Sequence, residues 1–425
     1  MARILAYTSP ARGHLFPVTP VLLELHRRGH QVSVRTLASQ AETMRGLGLD
    51  AEAIDPAIEA IEHDDYLART PIGANKRAVR TFCRRAAHEV PDLRRAIEAR
   101  RPDALLVDVN TFGAQAVADD WNGPWAVWCP YPIPIPSRDA PPFGPGLRPA
   151  RGVLGRLRDA ALRPLVFGSL ERIVVPGVNE VRARVGLQPL SSAKAMFTAP
   201  PLLIYMTAEP FEYPRSDWPQ NLRMVGPCDW DPPADPPGWL ADVDDPIVLV
   251  TTSSEFQDDG RLARCALEAL ADERVHVVVT APSVDLDGAE VPPNGRVVSF
   301  ASHSALLTRA ACAITHGGMG ATQKALAHGV PVCTVPFARD QLEVARRVEV
   351  AGAGTRLPAR GLDPRRLRAK VHEAIARRQG AQRVAQAYKA AGGPMAAADA
   401  TEQLLLHEPE AGGRRNRGHA GSPAR

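Results

Sequence analysis

Three short stretches hold residues whose types and order suit chemistry. Arg12-Gly13-His14-Leu15-Phe16-Pro17 follows closely on the apolar run Ile4-Leu5-Ala6-Tyr7. An imidazole titrates at about 6.5, so near neutral pH it can take a proton from a reacting hydroxyl. Leu105-Leu106-Val107-Asp108 is a second apolar run, ending on a carboxylate. If both runs are strands of one sheet, Asp108 faces the same edge as His14. There it can orient the imidazole and stabilise the imidazolium. Taken alone, His14 serves equally well as a capping or packing residue. The third stretch is Ile314-Thr315-His316-Gly317-Gly318-Met319-Gly320-Ala321-Thr322, where an apolar run breaks into glycines around a histidine and then turns helical. Glycines let backbone N–H groups approach an anion, and a helix N-terminus adds partial positive charge. With side-chain donors from His316 and Thr322, the stretch suits a diphosphate. The bland alternative is a strand-to-helix turn with no ligand.

Such residues need strands to hold them. A strand is expected over residues 2–8, then a Gly-containing turn at 11–14, then a helix over 17–28. Val18, Val21, Leu22 and Leu25 fall on one helical face, Pro17 suits the first turn and Gly29 the stop. Gln31-Val32-Ser33-Val34 resumes as a strand, and strand–helix–strand order implies a parallel sheet. Further strands are expected at 104–108, 125–128 and 202–206. The Pro-rich stretch from Pro227 to Pro237 cannot form a helix or a central strand. After it the alternation restarts, with strands at 247–251, 275–280, 297–300, 311–315 and 330–335. The fold class is therefore α/β, with two doubly wound parallel-sheet (Rossmann-like) domains facing across a cleft. Domain one spans 1–225, the linker 226–240 and domain two 241–395. A helix at 396–407 is expected to pack back on the first domain, and 408–425 is expected to be disordered.

Bulk properties exclude several classes. With 425 residues, 45% hydrophobic and 23% charged, the chain reads as a soluble globular protein too long for one core. A formal charge of +4 is no nucleic-acid footprint, which needs a concentrated basic face. No apolar run approaches the roughly 20 residues that span a bilayer. With no signal peptide, the expected compartment is the cytoplasm. The six cysteines are scattered, with no CxxC pair and no zinc spacing, so buried free thiols are expected. No DxD pair ends a strand in the second half; Asp244-Asp245 and Asp258-Asp259 read as solvated loop pairs, and no metal is expected.

His316-Gly317-Gly318, followed by Gly329-Val330-Pro331 and Pro336-Phe337-Ala338-Arg339-Asp340-Gln341, resembles the nucleotide-sugar signature of family 1 glycosyltransferases. These include plant natural-product, antibiotic-tailoring and UDP-glucuronosyltransferase-like enzymes of GT-B fold. The resemblance covers about residues 2–405, firm in the second half and at the first turn, weak across 55–100 and 130–200. It implies that the first domain binds the acceptor and the second the nucleotide sugar. It also implies that His14 is the base with Asp108 as its partner, and that His316 holds the diphosphate with Gly317, Gly318, Gly320 and Thr322 around it. Phe300 takes the place of the residue that stacks on the base, the alternative being a core Phe at a strand end. Ser254 matches a family serine after the first strand of the donor domain. Asp340 and Gln341 match the pair that bonds sugar hydroxyls, the alternative being a helix cap. Where the family often has an acid reading the ribose diol, this chain has Lys324, which is compatible with dTDP-sugars or points to solvent.

The expected function is inverting transfer of a hexose or deoxyhexose from a UDP- or dTDP-sugar to a hydroxyl of a hydrophobic small molecule. A polyketide, macrolide or lipid aglycone fits the apolar character of 55–100 and of Tyr131-Pro132-Ile133-Pro134-Ile135-Pro136. The nucleotide sugar is a co-substrate, and no cofactor is expected. Two other readings stand beside it: a nucleotide-sugar epimerase, and a non-catalytic nucleotide-sugar-binding protein of the same shape. The basic amphipathic stretch Val153–Phe167 reads as an acceptor-side helix packed on the first domain, with a membrane-surface helix as the alternative. The oligomeric state is not legible.

Overall fold

The computed structural model describes residues 1–253, 259–282, 286 and 288–406. Ser254, Asp258 and the tail 408–425 lie outside the described residues.

Both sheets are wholly parallel. The first runs β3-β2-β1-β4-β5-β6-β7, with β1 Arg3–Tyr7, β2 Gln31–Thr36, β3 Asp50–Ala53, β4 Ala104–Asp108, β5 Trp125–Cys129, β6 Leu202–Tyr205 and β7 Leu222–Met224. The second runs β10-β9-β8-β11-β12-β13, with β8 Ile247–Thr251, β9 His276–Thr280, β10 Gly295–Val298, β11 Ala310–Thr315, β12 Val332–Thr334 and β13 Gly354–Arg356. A parallel sheet needs helical crossovers on both faces, so its strands are apolar on both sides. Accordingly Ile4 and Ala6 enter one core of the first domain while Leu5 and Tyr7 enter the other. Ile247 and Leu249 part from Val248 and Val250 in the same way in the second.

Each sheet reverses its strand order once, between β1 and β4 and between β8 and β11. Neighbouring strands there send their helices to opposite sides and leave a crevice at their carboxyl ends. His14 follows β1, Asp108 ends β4 and His316 follows β11, so the chemistry-bearing residues stand at the two reversals.

Several expectations are corrected. The first helix starts at Arg12, not 17, because the Ala11 carbonyl already accepts from His14 and Leu15 N–H; Pro17 and Pro20 lie inside it. His14 therefore rides the first helical turn. The C-terminal helix is Gly393–Leu406. Ala397, Ala398 and Ala400 enter the first domain's core, and Arg28 binds Asp399 and Glu402. The Pro-rich linker is tied to the second domain: Asp231 accepts from Ser302 Oγ and Ser304 N–H and pairs with Lys324. Ile133 and Ile135 are buried in the first domain's core. The helix Gly152–Arg184 turns Val153, Leu154, Leu157 and Leu165 outward, against the expectation that they pack on the domain. All six cysteines are free, with Cys83 and Cys265 half-buried and the other four buried.

A buried ion network joins the domains. Arg347, on the helix Gln341–Val350, grips Glu212 of the first domain through Nη2 and Nε at 2.9 and 3.1 Å and holds Glu343 at 2.8 Å. Burial opposes ionisation of Glu212, yet Arg347 and Arg215 hold its carboxyl below the usual range. The other oxygen of Glu343 accepts from Gly144 and Gly146 N–H at 2.7 and 2.9 Å. Gly146 has φ +60°, and a Cβ there would stand 2.4 Å from the Leu342 carbonyl oxygen.

Candidate active site

The edge of the first sheet holds a hydrogen-bonded chain around His14. Asp108 is fully buried at the end of β4, and both its oxygens are engaged. Oδ2 accepts from Ser9 N–H at 3.2 Å and Ser9 Oγ at 2.9 Å; Oδ1 accepts from Asn110 N–H at 2.8 Å and meets His14 Nδ1 at 2.9 Å. Ser9 and Asn110 supply three donors to these oxygens, and His14 Nδ1–H supplies the fourth. That tautomer leaves Nε2 as an acceptor aimed at the crevice, where Asn110 Nδ2 donates to it at 3.2 Å. Tyr131 Oη in turn donates to Asn110 Oδ1 at 2.9 Å, and its ring lies 5.8 Å from that of His14. The imidazole is thus held in a fixed orientation at both ring nitrogens. Asn110 is not singled out by the sequence, and Tyr131 enters there only as the first residue of the apolar 131–136 stretch. The only local signal is the position of Asn110, two residues past the carboxylate at the strand's end.

At the edge of the second sheet, His316 and Gly317 make the turn between β11 and the helix Met319–Ala327. Gly317 has φ +89°, a left-handed conformation that favours glycine. A Cβ on Gly318 would lie 2.3 Å from His316 Nε2, so the imidazole and the turn fit only around glycine. Gly318 caps the helix without any side-chain hydrogen bond to its first N–H groups, and above Gly320 there is open space. A helix N-terminus left uncapped beside open space is an anion cradle. Burial lowers the His316 pKa, with partial compensation from Asp259, so the ring is neutral at pH 7. Thr322 is not available to a diphosphate as expected. It is fully buried, and its hydroxyl pairs with Thr315 Oγ1 at 3.1 Å, bracing the turn from beneath. Asp259 also departs from expectation: it is buried, accepts from Ser253 N–H at 2.6 Å and stands 4.0 Å from His316 Nδ1.

Phe300 lies past the end of β10 with 54% of its surface exposed, so it is no core residue. Asp340 is the N-cap residue of its helix yet makes no capping hydrogen bond with its side chain. Burial raises its pKa, and Arg339 and His14 are near enough to temper that rise. Asp340 of the second domain therefore lies within electrostatic reach of His14 of the first. Gln341 is buried, and its Oε1 accepts from Phe337 and Ala338 N–H at 2.7 and 2.9 Å, so this oxygen shapes the turn that carries Asp340. Arg339, at φ +53°, reaches across the cleft to Asp65 with Nε and Nη2 at 2.8 and 2.9 Å. Burial opposes ionisation of Asp65, but Arg339 holds its carboxyl below the usual range. Lys324 neither points to solvent nor stands open to a ribose. Its Nζ donates to the Trp230 carbonyl at 2.8 Å and pairs with Asp229 at 2.9 Å and with Asp231. Against burial, Lys324 and Ser304 hold the Asp231 carboxyl at about 2. Among the described residues, no three His, Cys, Asp or Glu side chains cluster to hold a metal ion, and no helix is long and apolar enough to cross a membrane.

Residues 264–404 match the family model described as erythromycin biosynthesis protein CIII-like, C-terminal domain. Over 390 residues the chain is 35% identical to 4'-demethylrebeccamycin synthase of Lentzea aerocolonigenes, covering 88% of this chain and 92% of that protein. A PGL/p-HBAD biosynthesis glycosyltransferase of Mycobacterium tuberculosis is 32% identical over 274 residues, 63% of this chain and 60% of that one. Among solved structures, the kitacinnamycin glycosyltransferase superposes with TM-score 0.70 at 26% identity, over 95% of this chain and 99% of its own. Glycosyltransferase VinC, solved in complex with dTDP, gives TM-score 0.69 at 19% identity over 95% and 99%, a likeness of fold alone. Two parallel-sheet domains meeting at their carboxyl edges are the GT-B architecture. The chain belongs to the family 1 natural-product glycosyltransferases and is a sugar-transferring enzyme.

Proposed function

We propose that the enzyme transfers a hexose or deoxyhexose from a UDP- or dTDP-sugar to a hydroxyl of a hydrophobic small molecule, with inversion at the anomeric carbon. The observation that carries this reading is His14, tied to Asp108 through Nδ1 and to Asn110 through Nε2, with the Asp340 carboxyl of the second domain within electrostatic reach. The acceptor hydroxyl displaces the Asn110 amide from Nε2 and gives up its proton there as its oxygen attacks the anomeric carbon. The bond from that carbon to the diphosphate breaks on the opposite face. The imidazolium keeps its Nδ1 proton, hydrogen-bonded to Asp108, and the departing diphosphate is held at His316 and the start of the helix Met319–Ala327. Asp340 accepts from sugar hydroxyls, and Phe300 stacks on the base. No divalent metal is required, since neutral donors and the helix terminus meet the diphosphate charge. An epimerase would have no use for a base fixed on the acceptor side, and a binding protein no use for a base at all.

A donor screen tests this. UDP- and dTDP-sugars, with and without EDTA, are scored by protection against thermal unfolding and by transfer to a panel of hydrophobic aglycones. Protection by at least one class and EDTA-resistant transfer are expected. Protection by neither, or activity abolished by EDTA and restored by magnesium, overturns the reading.

A further inference from the structure

We infer that the first four turns of the helix Gly152–Arg184 form a docking ridge for an anionic membrane surface. Val153, Leu154, Leu157, Ala160, Ala161 and Leu165 are all exposed, and their spacing places them on one side of the helix. Leu154 is 82% exposed, and Val153, Leu157 and Leu165 are each more than half exposed. A water-facing stripe of this kind reverses the usual amphipathic order, in which the outward face is polar. Large contiguous apolar surface on a folded protein marks a contact site.

Charge says what covers it. From Arg151 to Leu170 the basic residues are Arg151, Arg156, Arg158 and Arg163, and the one acidic residue, Asp159, is buried and paired with Arg158 at 2.7 Å. Arg151 and Arg156 are exposed beside the stripe. An apolar stripe flanked by arginines and bare of exposed acids matches a bilayer interface, where leucines enter the acyl boundary and guanidinium groups meet lipid phosphates. A second copy of the chain is the poorer occupant, because a twofold contact would set the same basic residues against themselves. The helix Pro71–Arg100 runs alongside in the same direction, since Gly177 abuts Val79 and Cys83 while Arg184 shares a groove with Ala87 and His88. Its exposed Ile72 therefore lies toward the same end of the molecule as Leu165.

The test is vesicle co-sedimentation of the full chain at low and high salt, using phosphatidylcholine vesicles with and without phosphatidylglycerol. The wild type is expected to partition onto the anionic vesicles and to be released by salt. The Leu154→Asp, Leu157→Asp double variant and the Arg151→Glu, Arg156→Glu double variant are each expected to partition at least tenfold more weakly. Both should keep the wild-type melting temperature, because all four positions are exposed. Three results would overturn the proposal: no wild-type partitioning onto anionic vesicles, equal partitioning of wild type and both variants, or equal partitioning onto neutral vesicles. A wild-type dimer in analytical ultracentrifugation that the leucine variant dissolves, without vesicle binding, would assign the ridge to a second copy instead.

Discussion

Replacing Asp108 by asparagine separates the orienting role of the carboxylate from its bulk. In the wild type Oδ2 serves Ser9 N–H and Oγ, while Oδ1 serves Asn110 N–H and His14 Nδ1. Asparagine keeps one oxygen, so its amide must face one of these pairs. Turned toward Ser9, it confronts the Ser9 backbone N–H with another donor. Turned toward His14, it deprives Asn110 N–H of an acceptor and forces the imidazole into the tautomer with its proton on Nε2. Either way one buried N–H loses its partner, which costs about 1–3 kcal/mol of stability. In the second orientation the base is also abolished. The expected loss of turnover is about 10²–10⁴-fold, or roughly 3–5 kcal/mol on the barrier. His14→Ala should fall in the same range with donor protection unchanged, and the double variant should be no worse than either single one by more than a few-fold. Steady-state transfer rates and thermal protection by the donor nucleotide measure both quantities. Turnover of Asp108→Asn within a few-fold of wild type, or a double variant that loses the product of the two single losses, would refute the dyad.

Burial and the charge of Asp108 push the Glu89 carboxyl from the usual 4.5 to about 8, against hydrogen bonds from Gly113 and Ala114. Between those values the folded state holds a proton that the unfolded chain has lost, so stability falls as pH rises, by up to about 1.4 kcal/mol per pH unit. Glu89→Gln cannot ionise and should flatten the melting temperature over about pH 5 to 8; profiles that stay parallel refute this assignment. Lys324→Glu sets a third carboxylate against Asp229 and Asp231 and should lower stability by roughly 1–3 kcal/mol. An unchanged melting temperature would show that the lysine does not anchor the linker.

Local regularities were legible because local physics produces them. Apolar runs bounded by glycine and proline mark strands that are buried on both faces, and the β1 and β11 turns announce themselves by glycine beside histidine. The rest depends on partners distant in sequence. Thr322 reads as a donor until Thr315 is seen beneath it. Asp259 reads as solvated until Ser253 N–H closes on it. Lys324 finds its carboxylates in the linker, and neither its helix nor the linker's proline pattern encodes that meeting. The helix from Gly152 has an amphipathic pattern that is plain, but nothing local says which face the domain buries.

The Glu212–Arg347–Glu343 bridge bears on how such enzymes can be recombined. Glu212 belongs to the first domain, whereas Arg347 and Glu343 belong to the second, and all three are buried. A chimera whose new half lacks the counterpart leaves a carboxylate or a guanidinium unpaired in a dry seam, at a cost of about 3–5 kcal/mol. It also parts Glu343 from the Gly144–Gly146 loop that it cradles. The two domains of this protein are therefore a matched set, and shuffling them requires moving position 212 and the 144–146 loop together with the helix that reads them.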